Sequence, residues 1–403
     1  MSRRCETWVC SEGFSPWQTH GAEENSAPNG GSGGILPCLS YQDVIVVGLG
    51  GMGSAAAAHV SARGKRVLGL EQFQPAHDRG SSHGQSRVIR LAYFEHPAYV
   101  PLLRRSYELW RRLENDTGRR LLRMTGGLMV GAPDSDVVAG SLRSAREHDL
   151  AHQVLDAAAI HRRFPQLTPP AGTIALYEHE AGIVYPEAAI RAHLELAADR
   201  GADLHFDERV EEWHVAPGGR IDVRTSRGHY TCERLILSPG PWASDVFRIP
   251  WLPLEVEPQQ LHWFAPRGGA AGFAPDRFPI YIWDLGTGVQ FYGFPADDGG
   301  RVKVAFFRSA IKGEAAMRDT LRPYVPALAH GTLVDTVHCK YTLTPDQHFV
   351  IGFHPDHDNV VIASPCSGHG YKFASVIGEI LAELAVDGST RHAIDLFRPS
   401  RFR

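Results

Sequence analysis

Asp43-Val-Ile-Val-Val-Gly-Leu-Gly-Gly-Met-Gly-Ser-Ala-Ala-Ala-Ala-His-Val-Ser-Ala-Arg63 is the stretch on which the fold turns. The β-branched run Val44 to Val47 predicts a short buried parallel strand. Gly48, Gly50 and Gly53 follow at once in GxGxxG spacing. Ser54 to Arg63 reads as a helix stopped by Gly64, and Arg66-Val-Leu-Gly-Leu70 as a second strand ended by Glu71. This order has a chemical reason. Gly48 makes the tight turn, Gly50 lets backbone approach a pyrophosphate, and Gly53 permits close helix–strand packing. The helix N-terminus offers unpaired N–H groups and the positive dipole end to the phosphates. The Glu71 carboxylate can accept hydrogen bonds from ribose hydroxyls. Strand, turn, helix, strand and acid together predict a bound dinucleotide. The fingerprint leaves FAD and NAD open. Gln72 and Phe73 stand where a 2′-phosphate would call for a basic residue, which disfavours NADP.

Composition limits the rest. The chain has 403 residues, 43% hydrophobic and 21% charged. That length gives a prior of two to three domains and a core that needs no disulfide or structural metal. Lys plus Arg is 41 against Asp plus Glu at 45, a formal net charge of −4, so a nucleic-acid partner relying on a basic surface is not expected. The six cysteines (Cys5, Cys10, Cys38, Cys232, Cys339 and Cys366) are sparse and irregular, unlike a secreted disulfide framework. Residues 1–40 are rich in Gly, Ser and polar side chains and predict a flexible tail; no apolar run follows Arg3 and Arg4, so a signal peptide is not expected. Val44 to Val60 lacks Asp, Glu, Lys and Arg, yet it carries four glycines and is shorter than the roughly 20 apolar residues of a membrane span. No membrane partner is expected.

Further along, Gly80-Ser-Ser-His-Gly-Gln-Ser-Arg-Val-Ile-Arg90 combines small residues with Arg87 and Arg90, which can turn toward an anion. Tyr99 to Asn115 predicts an amphipathic helix, Glu187 to Asp199 another, and Arg220–Arg224 with Gly228–Cys232 a hairpin. Leu235 to Trp242 reads as a buried strand running into a turn. Tyr281-Ile-Trp283, Val289 to Tyr292 and Val302-Lys-Val304 predict antiparallel strands; alternation leaves Lys303 either on a solvent face or inside a site. Asn359 to Ala363, then Pro365-Cys-Ser-Gly-His-Gly-Tyr-Lys372 and a helix to about Asp387, form a second glycine-bearing strand-to-helix junction. His354-Pro-Asp-His357 is better explained as a turn than as a metal site, and no metal is expected.

Taken together, Gly48–Gly53, the Gly80–Arg90 block, Tyr292-Gly-Phe-Pro295 with Lys303, Cys339-Lys-Tyr-Thr342, Thr344-Pro-Asp346, Ser367 to Lys372 and the ending Phe397 to Phe402 resemble the monomeric sarcosine oxidase and N-methyltryptophan oxidase family. The resemblance runs from about Gln42 to Arg403. It implies an α/β fold, with a Rossmann-like FAD-binding domain interleaved with a mixed or antiparallel-sheet substrate domain. The expected boundaries are 41–124, 185–245 and 346–403 for the first, and 125–184 and 246–345 for the second.

The family match also implies roles. Cys339 falls where the family forms a thioether to the flavin 8α-methyl; Cys366 lies off that position. Lys303 matches the lysine that promotes reaction of reduced flavin with O2. Arg90 and Lys372 match the pair that clamps a substrate carboxylate. Tyr292 matches an active-site tyrosine, and His83 and Arg87 match residues close to the flavin ring. Ser81, Gly368 and Gly370, with Gly48, Gly50, Gly53, Glu71 and Arg87, complete the expected FAD contacts. Two positions depart from the family: Ser82 replaces a histidine, and Phe307 replaces an active-site histidine four residues after the lysine. Trp283 is expected to reshape the pocket for a bulkier or cyclic amino acid. The implied activity is oxidation of a secondary amino acid, such as sarcosine, to an imine, with O2 reduced to hydrogen peroxide. The partners are then a small amino acid and O2, for a cytoplasmic monomer. The alternatives are a cyclic imino-acid oxidase, a biosynthetic desaturase, and a flavin-binding protein without turnover.

Overall fold

The computed structural model describes residues 40–307 and 309–403, so the tail expected over residues 1–40 lies, but for Ser40, outside the described residues. Strand Ser40–Val47 runs parallel to Val67–Leu70 on one side and to His229–Leu237 on the other. It is covered on both faces: Val44, Ile45 and Val46 are at most 1% exposed. Parallel neighbours need a crossover, which helix Gly51–Ser61 supplies. Asp203–His205 extends this sheet beyond Val67–Leu70. The predicted hairpin is present as Ile221–Thr225 paired antiparallel with His229–Leu237, and Val210–Val215 adds the outer strand. His357–Ser364 joins His229–Leu237 in parallel, and Val350–His354 returns antiparallel against it. This is the α/β arrangement expected from the sequence.

The helices over this sheet approach closely because their contact residues are small. Ala55 to Ala58 of the first helix are buried. A Cβ added to Gly378 of helix Ala374–Asp387 would stand 2.5 Å from the Ala55 Cβ. The amphipathic segment forms helix Val100–Thr117, which buries Leu102, Leu103, Leu109, Trp110 and Leu113.

A second sheet is mixed. Its order runs Thr332–Leu343, Glu255–Ala265, Val302–Phe307, Gln290–Ala296, Ile280–Asp284, Gly127–Gly131, Ile174–Glu178 and Gln153–Asp156. Only Ile280–Asp284 with Gly127–Gly131 is parallel among these pairs. Successive side chains point to opposite faces of a strand, so alternation sorts this sheet into two faces. Trp283, Phe291, Val302, Val304 and Phe306 share one apolar cluster. The other face carries the aligned row Ile282, Tyr292, Ala305 and Leu261, with Lys303 opposite Trp263. Trp283 therefore does not shape the substrate pocket: it stacks on Phe291 with ring centroids 5.9 Å apart, on the far side. Its neighbour Ile282, one residue and half a pleat away, faces the cavity instead. A small sheet of Arg87–Ile89, Gly182–Val184 and Leu122–Met124 holds the Arg87 segment.

Candidate active site

The three glycines of the fingerprint sit in different surroundings. Gly48 has φ +84°, and a Cβ on it would stand 2.6 Å from the Ser238 carbonyl at the end of the adjacent strand. A Cβ on Gly53 would fall 1.8 Å from the Gly48 carbonyl, which only glycine avoids. Beside Gly50 the space is open; its nearest atom would be Ser82 Oγ at 3.8 Å. Glu71 is buried, and its oxygens accept the Leu49 N–H at 2.8 Å and the Phe73 N–H at 3.2 Å. It thus ties the second strand to the turn. A carboxylate has about four lone-pair sites, so it retains capacity for ribose hydroxyls.

Gly48, Gly50 and Glu71 line a cavity of about 430 Å³. A second cavity, about 110 Å³, adjoins it, and the two share Met52, Ser81, Ser82, Pro365 and Cys366 as walls. Ser81 Oγ and His83 Nε2 are buried without a hydrogen-bond partner among the described residues. Ser81 lines both cavities, so its oxygen fits a group that would bring the missing partner, as the nitrogens and oxygens of a flavin ring do. Burial, aided by Arg87, pushes the His83 imidazole down to about 4, so it is neutral at pH 7. His83 sits behind the cavity lining, not in it.

The smaller cavity collects most of the other expected residues. Arg87 donates to the carbonyls of Ser81 and Ser86, each at 2.9 Å, and lies 3.7 Å from Cys339 Sγ. Cys339 is 3% exposed. Cys366 lines both cavities, and burial pushes its thiol up to about 11. Gly368 and Gly370 are steric necessities of the second junction. A Cβ on Gly370 would fall 1.4 Å from the Pro365 carbonyl, and one on Gly368 would stand 2.9 Å from the Tyr341 ring.

At one end stand two cations. Arg90 is 1% and Lys372 4% exposed, and both lie over the Tyr93 ring, at 4.3 and 5.1 Å from its centroid. Arg90 donates to Glu95 Oε2 and to the Ala92 carbonyl, each at 2.7 Å. Lys372 Nζ donates to the His369 carbonyl at 2.6 Å. Its backbone is fixed against the long helix, where the Lys372 carbonyl accepts from Ser106 Oγ and Trp110 Nε1. Charge of this sign, desolvated and concentrated, suits a carboxylate. The lining also includes the apolar side chains Ile282, Phe294 and Phe307, the last set edge-on to Phe94 with centroids 6.2 Å apart. Tyr292 lines the cavity, and burial raises its phenol.

Lys303 is 2% exposed, which excludes the solvent face for its strand position, and it is not among the residues lining either cavity. Its Nζ lies 4.3 Å from the Phe294 ring centroid. Burial, with Arg87 adding to it, holds the amine well below the ordinary lysine value.

Four residues of the site carried no role in the sequence reading. Tyr341 lines the cavity, and its place two residues after Cys339 on one strand puts both on the same face. That signal was present in the sequence. Glu95 was invisible, since it matters only through Arg90. Glu178 accepts the N–H groups of Leu91 and Ala92, and Glu187 those of Gly84 and Gln85, from positions 86 to 103 residues away. No local pattern marks such partners.

Residues 43–384 match the family model described as FAD dependent oxidoreductase. The chain is 50% identical to monomeric sarcosine oxidase of Streptomyces avermitilis over 375 residues, covering 89% of this chain and 97% of that protein. It is 32% identical to N-methyl-L-tryptophan oxidase of Salmonella dublin over 378 residues, covering 89% and 99%. Among solved structures it is similar to NikD, described as an unusual amino acid oxidase essential for nikkomycin biosynthesis: TM-score 0.77, 26% identity, 89% of this chain and 97% of that one.

Proposed function

Because this chain belongs to the FAD dependent oxidoreductase family, we propose that it oxidises the C–N bond of a secondary amino acid, an N-methyl amino acid such as sarcosine. The observation that carries this reading is the cation pair Arg90 and Lys372 over one tyrosine ring, in a cavity that shares walls with the dinucleotide cleft. FAD, held by the residues below, would supply the acceptor for a hydride equivalent from the amine carbon and the donor of two electrons that reduces O2 to hydrogen peroxide.

The protein's own contribution is orientation and charge. Arg90 and Lys372 hold the carboxylate, and Arg90 exchanges its contact with Glu95 for one with substrate. Phe307, Ile282 and Phe294 exclude water from the amine and favour its neutral form, the one able to release hydride. Tyr292 stands at the same wall. Gly48, Gly50, Gly53, Glu71, Ser81, Gly368 and Gly370 hold the FAD, with His83 and Arg87 near its ring. Cys339 would be the attachment point for FAD, with the Arg87 guanidinium 3.7 Å from its Sγ. Lys303 supplies a fixed cation for the oxygen step. The relatives named monomeric support a monomer, and the sparse free cysteines support a cytoplasmic setting.

A second reading, oxidation of a cyclic imino acid, is favoured by the apolar Phe307 in place of a histidine. A peroxide-linked screen over N-methyl, cyclic and primary amino acids decides between them. Peroxide together with formaldehyde is expected from an N-methyl substrate; peroxide without formaldehyde, from a cyclic acid only, would replace the first reading with the second. Acid precipitation tests the attachment. The wild-type pellet should be yellow and the Cys339→Ala pellet white, and a yellow variant pellet would remove Cys339 from that role.

A further inference from the structure

Gly84, Gln85 and Ser86 form a tight loop in which Gly84 has φ +95° and Gln85 φ +66°. Gln85 is thus in a left-handed conformation that side-chain-bearing residues rarely adopt, so surrounding contacts must hold it there. Two charged groups grip the loop from opposite sides. Glu187 Oε1 accepts the N–H of Gly84 at 2.7 Å and of Gln85 at 3.0 Å. Lys303 Nζ donates to the carbonyl of Gly84 at 2.9 Å and of Ser86 at 2.6 Å. The Gly84 carbonyl and the Gln85 N–H are the two ends of one peptide unit. A single amide therefore bridges ammonium and carboxylate, with its dipole aligned to both charges, an arrangement in which each hydrogen bond strengthens the other.

The surroundings of Lys303 leave this bridge as its main acidic support. The Trp263 and Phe294 rings flank it, Arg87 is a like charge, and Cys339 is a thiol on the same face of the sheet. Glu187, at the start of helix Pro186–Asp199, is the carboxylate acting on it. Removing a lysine from water favours loss of its proton, and Arg87 adds to that; Glu187 opposes both.

We propose that Glu187 is a positioning residue for Lys303: through the Gly84–Gln85 amide it keeps the buried amine charged and donating. The inference rests on the role in the oxygen step assigned to Lys303 above. Glu187→Gln tests it, since the amide oxygen still accepts both N–H groups while the charge is lost. The holoenzyme is reduced anaerobically, mixed with O2, and followed across pH 6 to 10. The ammonium is the active form and is lost as pH rises. Without the carboxylate it is lost at lower pH, so the alkaline limb of the oxygen rate should move acidward by at least one pH unit. At pH 8 the rate constant with O2 should fall at least tenfold, more than reduction by the amine falls.

A second readout does not depend on turnover. A pH-dependent change in the visible absorbance of the oxidised holoenzyme, absent in Lys303→Met, should shift acidward in the same way. In a Lys303→Arg background, where the cation cannot titrate, Glu187→Gln should change the oxygen rate less than twofold. If Glu187→Gln does not retain flavin, Glu187→Ala is titrated instead, with the same shift expected. An unmoved profile in the Glu187 variant, beside a slow Lys303→Met, overturns the inference and leaves the proposed function standing. Unchanged oxygen kinetics in Lys303→Met removes Lys303 from the mechanism and the inference with it. An equal loss in the Lys303→Arg background shows a route other than Lys303, and overturns it too.

Discussion

The turn at Gly48–Gly53 and the cavity face of the mixed sheet, each proposed to hold part of one cofactor, are built in opposite ways. The turn is local. Its residues are neighbours in sequence, and its constraints are backbone ones: a positive φ at Gly48 and a missing Cβ at Gly53. The sheet face is assembled from distant strands. Leu261, Ile282, Tyr292, Lys303 and Cys339 meet only because alternation and register align them. A local device fails all at once when a single atom is added. A face built from many strands loses one function at a time.

The largest expected effect breaks the local device. Gly53→Ala pushes a Cβ into the Gly48 carbonyl and should cost about 3 kcal/mol or more, at the far end of single substitutions. Thermal unfolding and the flavin-to-protein absorbance ratio should both drop. Gly64→Ala is the comparison: Gly64 has a positive φ, which Gly53 lacks, but a Cβ there meets nothing within 4 Å, and the change should cost only about 1 kcal/mol. Equal losses in the two would mean that the close approach at Gly53 costs no more than a positive φ at an open position.

On the sheet side the losses should separate. Arg90→Ala or Lys372→Ala should raise the amino-acid KM by roughly 10- to 150-fold, the equivalent of about 1.5–3 kcal/mol for a charge-assisted contact. Flavin content should hold. Unchanged KM in both variants would place the carboxylate elsewhere.

The smallest effects compare the sheet's two faces. Trp283→Phe should lower stability by about 1–2 kcal/mol through a partial cavity, with KM unaltered. Phe307→His should change KM several-fold and alter stability less. If Trp283→Phe moves KM as much as Phe307→His does, the two faces are not functionally distinct.

Legibility followed the same division. The strand–turn–helix unit, the hairpin and the helix Val100–Thr117 could be read from residue patterns, because each is fixed by contacts between near neighbours in the chain. Trp283 shows where that reading stops. Alternation says that Ile282 and Trp283 point apart, but not which of them faces the cavity. Lys303 is the same case, since an isolated charged residue in a strand has two faces available and only the sheet's surroundings choose. Arg90 was visible as a cation, whereas its Glu95 partner and the Tyr93 ring it shares with Lys372 were not.

By itself, the sequence determined the dinucleotide turn, the order of strands and helices around it, and the identity of the charged and thiol side chains available for chemistry. These depend on steric limits and periodicities acting over a few residues. Only the tertiary structure decided which face of the mixed sheet carries Lys303 inward, which acids stand against Arg90 and the Gly84–Gln85 loop, and that Trp283 points away. Those outcomes depend on how whole strands and loops pair and pack, where register and burial, not local preference, set the lowest free energy.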